Sequence, residues 1–467
     1  MHLKEIDEII LNCKEKYISQ LFTLIRQKSI STTDEGIIEC ADLLKGMMSE
    51  IGIDTKILQT EGHPVVYGEI MKSSSYFTLL IYGHYDVQPP DPLEEWLSPP
   101  FEPTIRDNRI YGRGAGDNKG QLMAQLLGVK AYLEAYRDLP INLKFVFEGE
   151  EEKGSVNLAS FVEEHKELLR ADLVYTADGS SHNSGSPLIL LGVRGMLAFE
   201  LTTKVAEWDN HSGNTGNILT NPAWKLIDLL QTMRNKEGQI LIEGFYDHIR
   251  PPSIREKELL SMLPFDAEDI GQKIGYSQLK MDGDTYYQKL TMEPTFNING
   301  LESGYTGKGM KSIIPSTASV RIDIRLVVDQ DPMDIFEKIN QHVKQYDSSM
   351  EVKFIGSMKP SRTSADLKIV DIVTEAIHQA YKKKPLIQPS LGGSLPDYVW
   401  TSILGVPSII MPYANFDQRN HSPNENIELD YFFNGIKCTS HVIHALGNYS
   451  KKSMETNRED NVYENKS

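Results

Sequence analysis

Apolar residues Ile6, Ile10, Cys13, Tyr17, Leu21 and Leu24 recur at helical intervals, which predicts an amphipathic helix at the start of the chain. Ile37, Cys40, Ala41, Leu44, Met48 and Ile51 repeat the pattern and predict a second helix. The pattern then changes. YFTLLIYG at 76–83 is a short apolar run with aromatics, the signature of a strand buried on both faces. Helical spacing returns from Gln121 to Tyr136. LKFVFEG at 143–149 predicts another buried strand, 155–169 a helix, and DLVYTAD at 172–178 a third strand. Strands alternating with helices predict an α/β layer on a mostly parallel sheet flanked by helices. Ligands of such sheets gather beyond the strand ends.

A second unit begins near Gly195. MLAFELTTKV at 196–205 predicts a strand, NPAWKLIDLLQTMR at 221–234 a helix, and ASVRIDIRLV at 318–327 a strand of strict alternation, before a helix from about Pro332 to Tyr346. After Pro360 the first style returns, with a helix from Asp366 to Tyr381 and a buried strand in GVPSIIMPY at 405–413. The expected organisation is an α/β domain over 1–194 and 359–450, interrupted by an α+β domain at 195–358. The polar, patternless tail, 451–467, is expected to be disordered.

Charge narrows the partners. The chain carries 48 Lys and Arg against 65 Asp and Glu, a net charge of −17, which repels phosphate backbones and argues against nucleic acid. An acidic surface also simply keeps a protein in solution. No run of about 18 apolar residues exists to span a membrane, and the N-terminus lacks the apolar core of a signal peptide. The three cysteines, Cys13, Cys40 and Cys438, fit no metal-binding spacing and suit a reducing compartment, the cytoplasm.

Five segments hold the candidate chemistry: GHYDV (83–87), GRGAGDNKG (112–120), EGEEEKGS (148–155), TADGS (176–180) and NHSPNE (420–425). Each follows a predicted strand or opens a helix, so His84, Asp86, Asp117, Glu150, Glu151, Glu152, Asp178 and His421 are expected to meet at one sheet edge. Taken singly, each has an ordinary reading: an interior histidine, an acidic helix start, a turn aspartate. Taken together, so many carboxylates cannot all stay ionised without cations. Imidazole with carboxylate suits zinc foremost, and manganese or cobalt as well. Two metals fit the number of ligands better than one, leaving a bridging carboxylate and a spare one to act as base.

The ordered set GHYDV, GRGAGDNKG, EEKGS and HSPNE resembles the di-zinc metallopeptidase family of carnosinases, cytosolic dipeptidases, glutamate carboxypeptidases, acetylornithine deacetylases and succinyl-diaminopimelate desuccinylases. The resemblance runs from the first helix to His421, and FNINGLESGYTGKGMKSIIPSTASVRIDIRLV at 296–327 resembles the dipeptidase branch. It implies a catalytic α/β domain with an inserted lid, through which relatives form homodimers. By motif, His84 and Asp178 are implied as ligands of one metal, Glu152 and His421 of the other, and Asp117 as the bridge. Glu151 is implied as the general base activating a metal-bridging water, and Asp86 as the carboxylate that orients His84. The Asp117–Asn118 bond matches a cis peptide of the family, and Glu150 has no implied role. DNHSG (209–213) resembles the lid motif whose histidine, here His211, stabilises the oxyanion, from the partner subunit in dimeric relatives. Arg325 and the GGSLP loop, with Gly392, Gly393 and Ser394, fall where relatives bind a substrate carboxylate. Outside the resemblance, His211 reads as a loop histidine, Arg325 as a strand-face arginine sharing a face with Arg321, and GGSLP as an ordinary turn.

The implied function is hydrolysis of dipeptides or short peptides with a free C-terminal carboxylate. Deacylation of N-acyl amino acids would use the same metals and base, and a carbamoyl-amidohydrolase fits the branch less well. A catalytically idle binding module, a different class, leaves the buried carboxylates and Glu151 without a purpose.

Overall fold

The computed structural model describes residues 2–464, with side chains from residue 3 to residue 450. Its main sheet has eight strands in the spatial order Asp54–Leu58, Val65–Ile70, Asn142–Glu148, Thr78–His84, Leu173–Thr176, Ser408–Ile410, Leu188–Leu190 and Leu386–Gln388. The central strands Asn142–Glu148, Thr78–His84, Leu173–Thr176 and Ser408–Ile410 all run parallel. The first two strands pair antiparallel along one edge. Thr78–His84 and Asn142–Glu148 are buried on both faces, which is why their sequences read as unbroken apolar runs.

Alternate residues of these strands feed two layers. Leu79, Ile81, Leu143, Phe145 and Phe147 pack against the helices Lys14–Arg26, Ile37–Ile51, Lys119–Tyr136, Lys368–Tyr381 and the C-terminal helix. Leu80, Tyr82, Val146 and Val174 pack the other way, on Leu158, Phe161, Val162 and Trp400. The molecule's larger unit is therefore a helix–sheet–helix sandwich, an α/β fold with a mostly parallel sheet.

Residues between Gly195 and Met358 build a separate four-stranded antiparallel sheet, in the order Asn297–Ser303, Thr317–Leu326, Gly195–Lys204, Glu351–Met358. One face, with Leu197, Phe199, Leu201, Val320, Ile322 and Ile324, is covered by the helices Pro222–Met233 and Pro332–Tyr346. Both helices start on a side-chain cap, Asn221 and Asp331, followed by proline. The opposite face carries Glu200 opposite Arg321 and Met196 opposite Arg325. Three short helices, Ile254–Ser261, Ala267–Lys273 and Gly283–Met292, belong to this insertion, and the first and third lean on Leu386 of the main sheet.

Three expectations are corrected. The first helix is two, His2–Asn12 and Lys14–Arg26, parted at Cys13. The helix at 155–169 is also two, broken at His165. The tail expected to be disordered continues the terminal helix as far as Glu464, and residues 465–467 of that expectation lie outside the described residues. Among the described residues, no helix is long and apolar enough to cross a membrane. All three cysteines are free.

Candidate metal centre

Four parallel strands side by side open their C-terminal ends on one edge, and the candidate residues sit there. His84 is the last residue of its strand and fully buried. Glu150, Glu151 and Glu152 follow Asn142–Glu148 across Gly149, in a short 3-10 turn. A Cβ at Gly149 would lie 2.5 Å from the Tyr85 hydroxyl, so the chain can leave the strand here only as glycine. Asp178 comes two residues after Leu173–Thr176, and His421 lies on the loop after Ser408–Ile410. Asp117 arrives from the loop ahead of the helix Lys119–Tyr136, through a cis peptide to Asn118.

Asp117 is central. Its Oδ1 lies 3.1 Å from His84 Nε2 and its Oδ2 3.1 Å from His421 Nε2. Asp178 Oδ2 approaches His84 Nε2 to 3.9 Å, and Glu152 Oε2 lies 3.1 Å from His421 Nε2. Two groups result, His84–Asp117–Asp178 and Asp117–Glu152–His421, each with its ligand atoms within 4.8 Å of one another. Among the described residues, the only cationic partners of these three carboxylates are the two imidazoles. The donor set, nitrogen and oxygen with a shared carboxylate, fits two divalent cations.

Charge crowding points the same way. Burial, then the neighbouring Asp117 charge, pushes Asp178 up to about 6. Burial, with Asp178, Asp117 and Glu152 beside it, holds Glu151 well above the usual carboxylate range. Hydrogen bonds to Asp117 and then Glu152 push His421 up to about 10. Burial opposes a charge on His84, yet Asp117 and Asp86 together hold its pKa well above the ordinary value. Asp117 moves the other way: its bonds to His421 and His84 overcome burial and keep it ionised.

A layer of supporting contacts fixes this geometry. Asp86, fully buried, lies 3.4 Å from His84 Nδ1 and accepts the amides of Glu151 at 3.2 Å and Glu152 at 3.1 Å. One carboxylate thus ties the histidine to the glutamate turn. Gln88 donates to Glu152 Oε2 at 3.0 Å, and Asn420 to Asp117 Oδ2 at 3.3 Å. Glu425, fully buried, pairs with Arg113 at 2.6 Å and accepts the amides of Gly116 and Asp117 at 2.9 Å each. Sequence reasoning gave neither Gln88 nor Glu425 a role. Glu425 was visible only as the last letter of NHSPNE. Glu150 faces away from the cluster, accepting from His63 N and Asn157 Nδ2.

The remaining candidates lie apart. His211 is exposed in the insertion, pairs with Ile313 across a short ladder, and accepts on Nδ1 from Gly213 N. Arg325 is half-buried and donates from Nη1 to Ser394 Oγ at 2.7 Å. The strand face and the GGSLP loop therefore touch each other directly. Gly392 and Gly393 flank that contact, and Gly392 O accepts from Arg194, another residue the sequence did not flag.

A model of the peptidase family M20/M25/M40 matches residues 80–445. The chain is 28% identical to the Cys-Gly metallodipeptidase dug1 of Schizosaccharomyces pombe, over 96% of this chain and 99% of that one. It is 29% identical to the Beta-Ala-His dipeptidase of Homo sapiens, over 80% and 76% of the two chains. Among solved structures, an M20 family metallo-carboxypeptidase from Sulfolobus solfataricus superposes with a TM-score of 0.84 at 37% identity, covering 92% of this chain and 99% of that one. Human carnosine dipeptidase 1 gives 0.76 at 25% identity, over 96% and 99%. The chain belongs to peptidase family M20/M25/M40. It is a metal-dependent peptidase with its likeness on the dipeptidase branch.

Proposed function

We propose that this member of the M20/M25/M40 family hydrolyses the peptide bond of dipeptides and other short peptides ending in a free carboxylate. The observation that carries the reading is the pair of ligand groups sharing Asp117, beside a half-buried Glu151 whose carboxylate meets no protein donor among the described residues. Likeness to a Cys-Gly metallodipeptidase and a Beta-Ala-His dipeptidase supports the substrate class.

In this reading His84 and Asp178 hold one cation, Glu152 and His421 the other, and Asp117 bridges them. Zinc suits the set best, with manganese or cobalt as alternatives. The bound cations supply Lewis acidity, polarising the scissile carbonyl and making a water acidic near neutral pH. Glu151 takes the proton of the attacking water and delivers it to the leaving nitrogen. Asp86 keeps Nδ1 of His84 occupied and anchors the turn that carries Glu151. His211 donates to the oxyanion. Arg325 and the Gly392–Ser394 loop receive the substrate carboxylate and fix the position of the bond.

The domain boundaries follow: a catalytic domain from 1–194 and 359–450, and a lid at 195–358 that also makes a homodimer. Exposed Trp208, Ile218, Trp224 and Met310 on the lid support the dimer, since each offers apolar surface for a partner to cover. Three free cysteines suit the cytoplasm.

A second reading, removal of the C-terminal residue from longer peptides, is favoured by the 37% identity to an M20 family metallo-carboxypeptidase. A panel of dipeptides, longer peptides and N-acyl amino acids, assayed after chelation and readdition of zinc, manganese or cobalt, separates these. Chelation abolishes activity, metal restores it, and dipeptides turn over fastest. Amidating the dipeptide lowers kcat/KM about 10- to 100-fold, through loss of a charge-assisted contact. Best turnover of N-acyl amino acids would make the enzyme a deacylase. Activity in metal-free protein would sink the whole scheme.

A further inference from the structure

Arg194 stands at the first chain crossing between the two units. Before it, Gly192–Val193 pairs with Ser361–Arg362 of the return crossing, and after it the lid strand starts at Gly195. A Cβ on Gly192 would lie 2.2 Å from Ser361 O, and one on Gly195 2.6 Å from Met358 O. The two crossings are in backbone contact on both sides of Arg194, so the residue has little freedom to move.

Its amide N–H is shared between Leu391 O and Gly393 O at 3.1 Å each, and its Nε donates to Gly392 O at 2.9 Å. Three successive carbonyls therefore turn toward one residue. In a trans peptide the C=O and the next N–H point in opposite directions, and the peptides here are trans. The amides of Gly392, Gly393 and Ser394 accordingly face away from Arg194, and among the described residues none of them has a protein acceptor. Three adjacent amides without a protein acceptor are donors that an anion can use. Arg194 Nη1 reaches on to Glu293 O at 3.1 Å, just past the helix Gly283–Met292. Leu290 of that helix presses on Gly392, where a Cβ would come within 3.1 Å. On the loop's other contact, Ser394 Oγ accepts from Arg325.

Charge points the same way. Arg194 is buried, and burial followed by repulsion from Arg325 pushes its pKa down to about 10, so its guanidinium still carries charge at neutral pH. The nearest carboxylate to Arg325, that of Asp323, stays 4.0 Å from its Nε. Asp323 also acts on Arg194, so one carboxylate faces two guanidiniums and the pair keeps an excess of positive charge beside the free amides.

We propose that Arg194 is a positioning residue that folds the Gly392–Ser394 loop into an amide nest and holds it against Arg325, so that nest and guanidinium receive one substrate carboxylate together. The inference rests on the carboxylate-clamp reading given above. It assigns Arg194 no contact with the reacting atoms.

The test compares Arg194→Met, Arg194→Lys, Arg325→Met and the unaltered enzyme on one dipeptide and its C-terminal amide, with metal content measured throughout. Arg194→Met is expected to raise KM for the free dipeptide about 10-fold or more. Its kcat should stay within about threefold, its metal content unchanged, and its kcat/KM on the amide nearly unaltered. The preference for the free acid therefore shrinks. Arg194→Lys, with one donor group in place of the planar fork, recovers part of the affinity. An unchanged KM and free-acid preference in Arg194→Met overturns the proposal, and so does an equal loss on both substrates, which marks a scaffold role. If Arg194→Met does not fold, Arg194→Lys decides: a raised KM with kcat kept supports the proposal, an unaltered KM overturns it. Arg325→Met tells the two levels apart. If it too leaves the preference intact, the clamp reading fails and this inference with it. If it collapses the preference while the Arg194 variants do not, only the role of Arg194 is lost.

Discussion

Glu151 and Glu152 are neighbours in sequence with opposite surroundings. Glu152 is gripped by Gln88 and His421, as a metal ligand is gripped in advance of its metal. Glu151 has no such partner, and burial among like charges makes it ready to accept a proton. Glu151→Gln should keep both metals while kcat falls by about 10²–10⁴, whereas Glu152→Gln should lose metal. Metal analysis beside steady-state kinetics reads both, and the reverse pattern would swap base and ligand. His421 adds a pH dependence. Asp117 and then Glu152 push it up to about 10 in the metal-free site, so its imidazole carries a proton at neutral pH. A metal must displace that proton. Metal uptake should therefore release protons, and apparent affinity should rise from neutral pH toward about pH 10, because the proton competes less as pH increases. Calorimetry in buffers of different protonation enthalpy measures the release, and uptake without it would contradict the ligand role of His421. The histidines and carboxylates of this centre were legible because each stands at the end of a recognisable strand or opens a helix. Gln88 and Arg194 were not, since each does its work through bonds to backbone or to another side chain far off in the chain.

At the scale of elements, legibility followed burial geometry. Strands buried on both faces read as apolar runs, and helices with one apolar stripe read as periodic. Asp54–Leu58 and Asn297–Ser303 escaped because both lie at sheet edges and expose much of their length, so neither alternation nor an apolar run survives. The long C-terminal helix escaped for the opposite reason. It is packed between Lys119–Tyr136 and Lys368–Tyr381, and it buries Thr439, Ser440 and His441 along with Phe432, Ile436 and Ile443, which erases a single stripe. The loop bearing Asp117 depends on a pairing no local pattern reveals, Arg113 with Glu425. Glu425 holds two amides of that loop and the guanidinium at once. Glu425→Gln leaves a buried arginine without its counter-charge, which costs about 3–5 kcal/mol. Denaturant unfolding of the metal-free protein should show that loss, together with weaker metal binding as the Asp117 loop loosens. A stability change below about 1 kcal/mol would mean that the buried pair is not what holds the loop.

At the scale of the whole molecule, the proposed catalytic groups lie on two units. The cluster of acids and histidines sits on the parallel sheet, while His211 lies exposed on the insertion, its ring accepting from the amide of Gly213 in its own loop. That loop is paired to the segment at Ile313, so its place is set by the lid and not by the catalytic unit. Exposed Trp208 and Ile218 flank it, and Met310 lies on the neighbouring loop. An exposed histidine on that loop suits the role proposed for it, donation to a site other than one its own loop builds. A donor to charge that develops in the transition state acts on turnover more than on binding. His211→Ala should lower kcat by about 10²–10³ with metal content unchanged. If the histidine serves the partner's site, mixing His211→Ala with Glu151→Gln protein should regain activity, because a mixed dimer joins one intact Glu151 to one intact His211. Differently tagged chains that purify together establish that subunits have exchanged. Exchange without regained activity would place the action of His211 within its own chain, or remove it from the reaction.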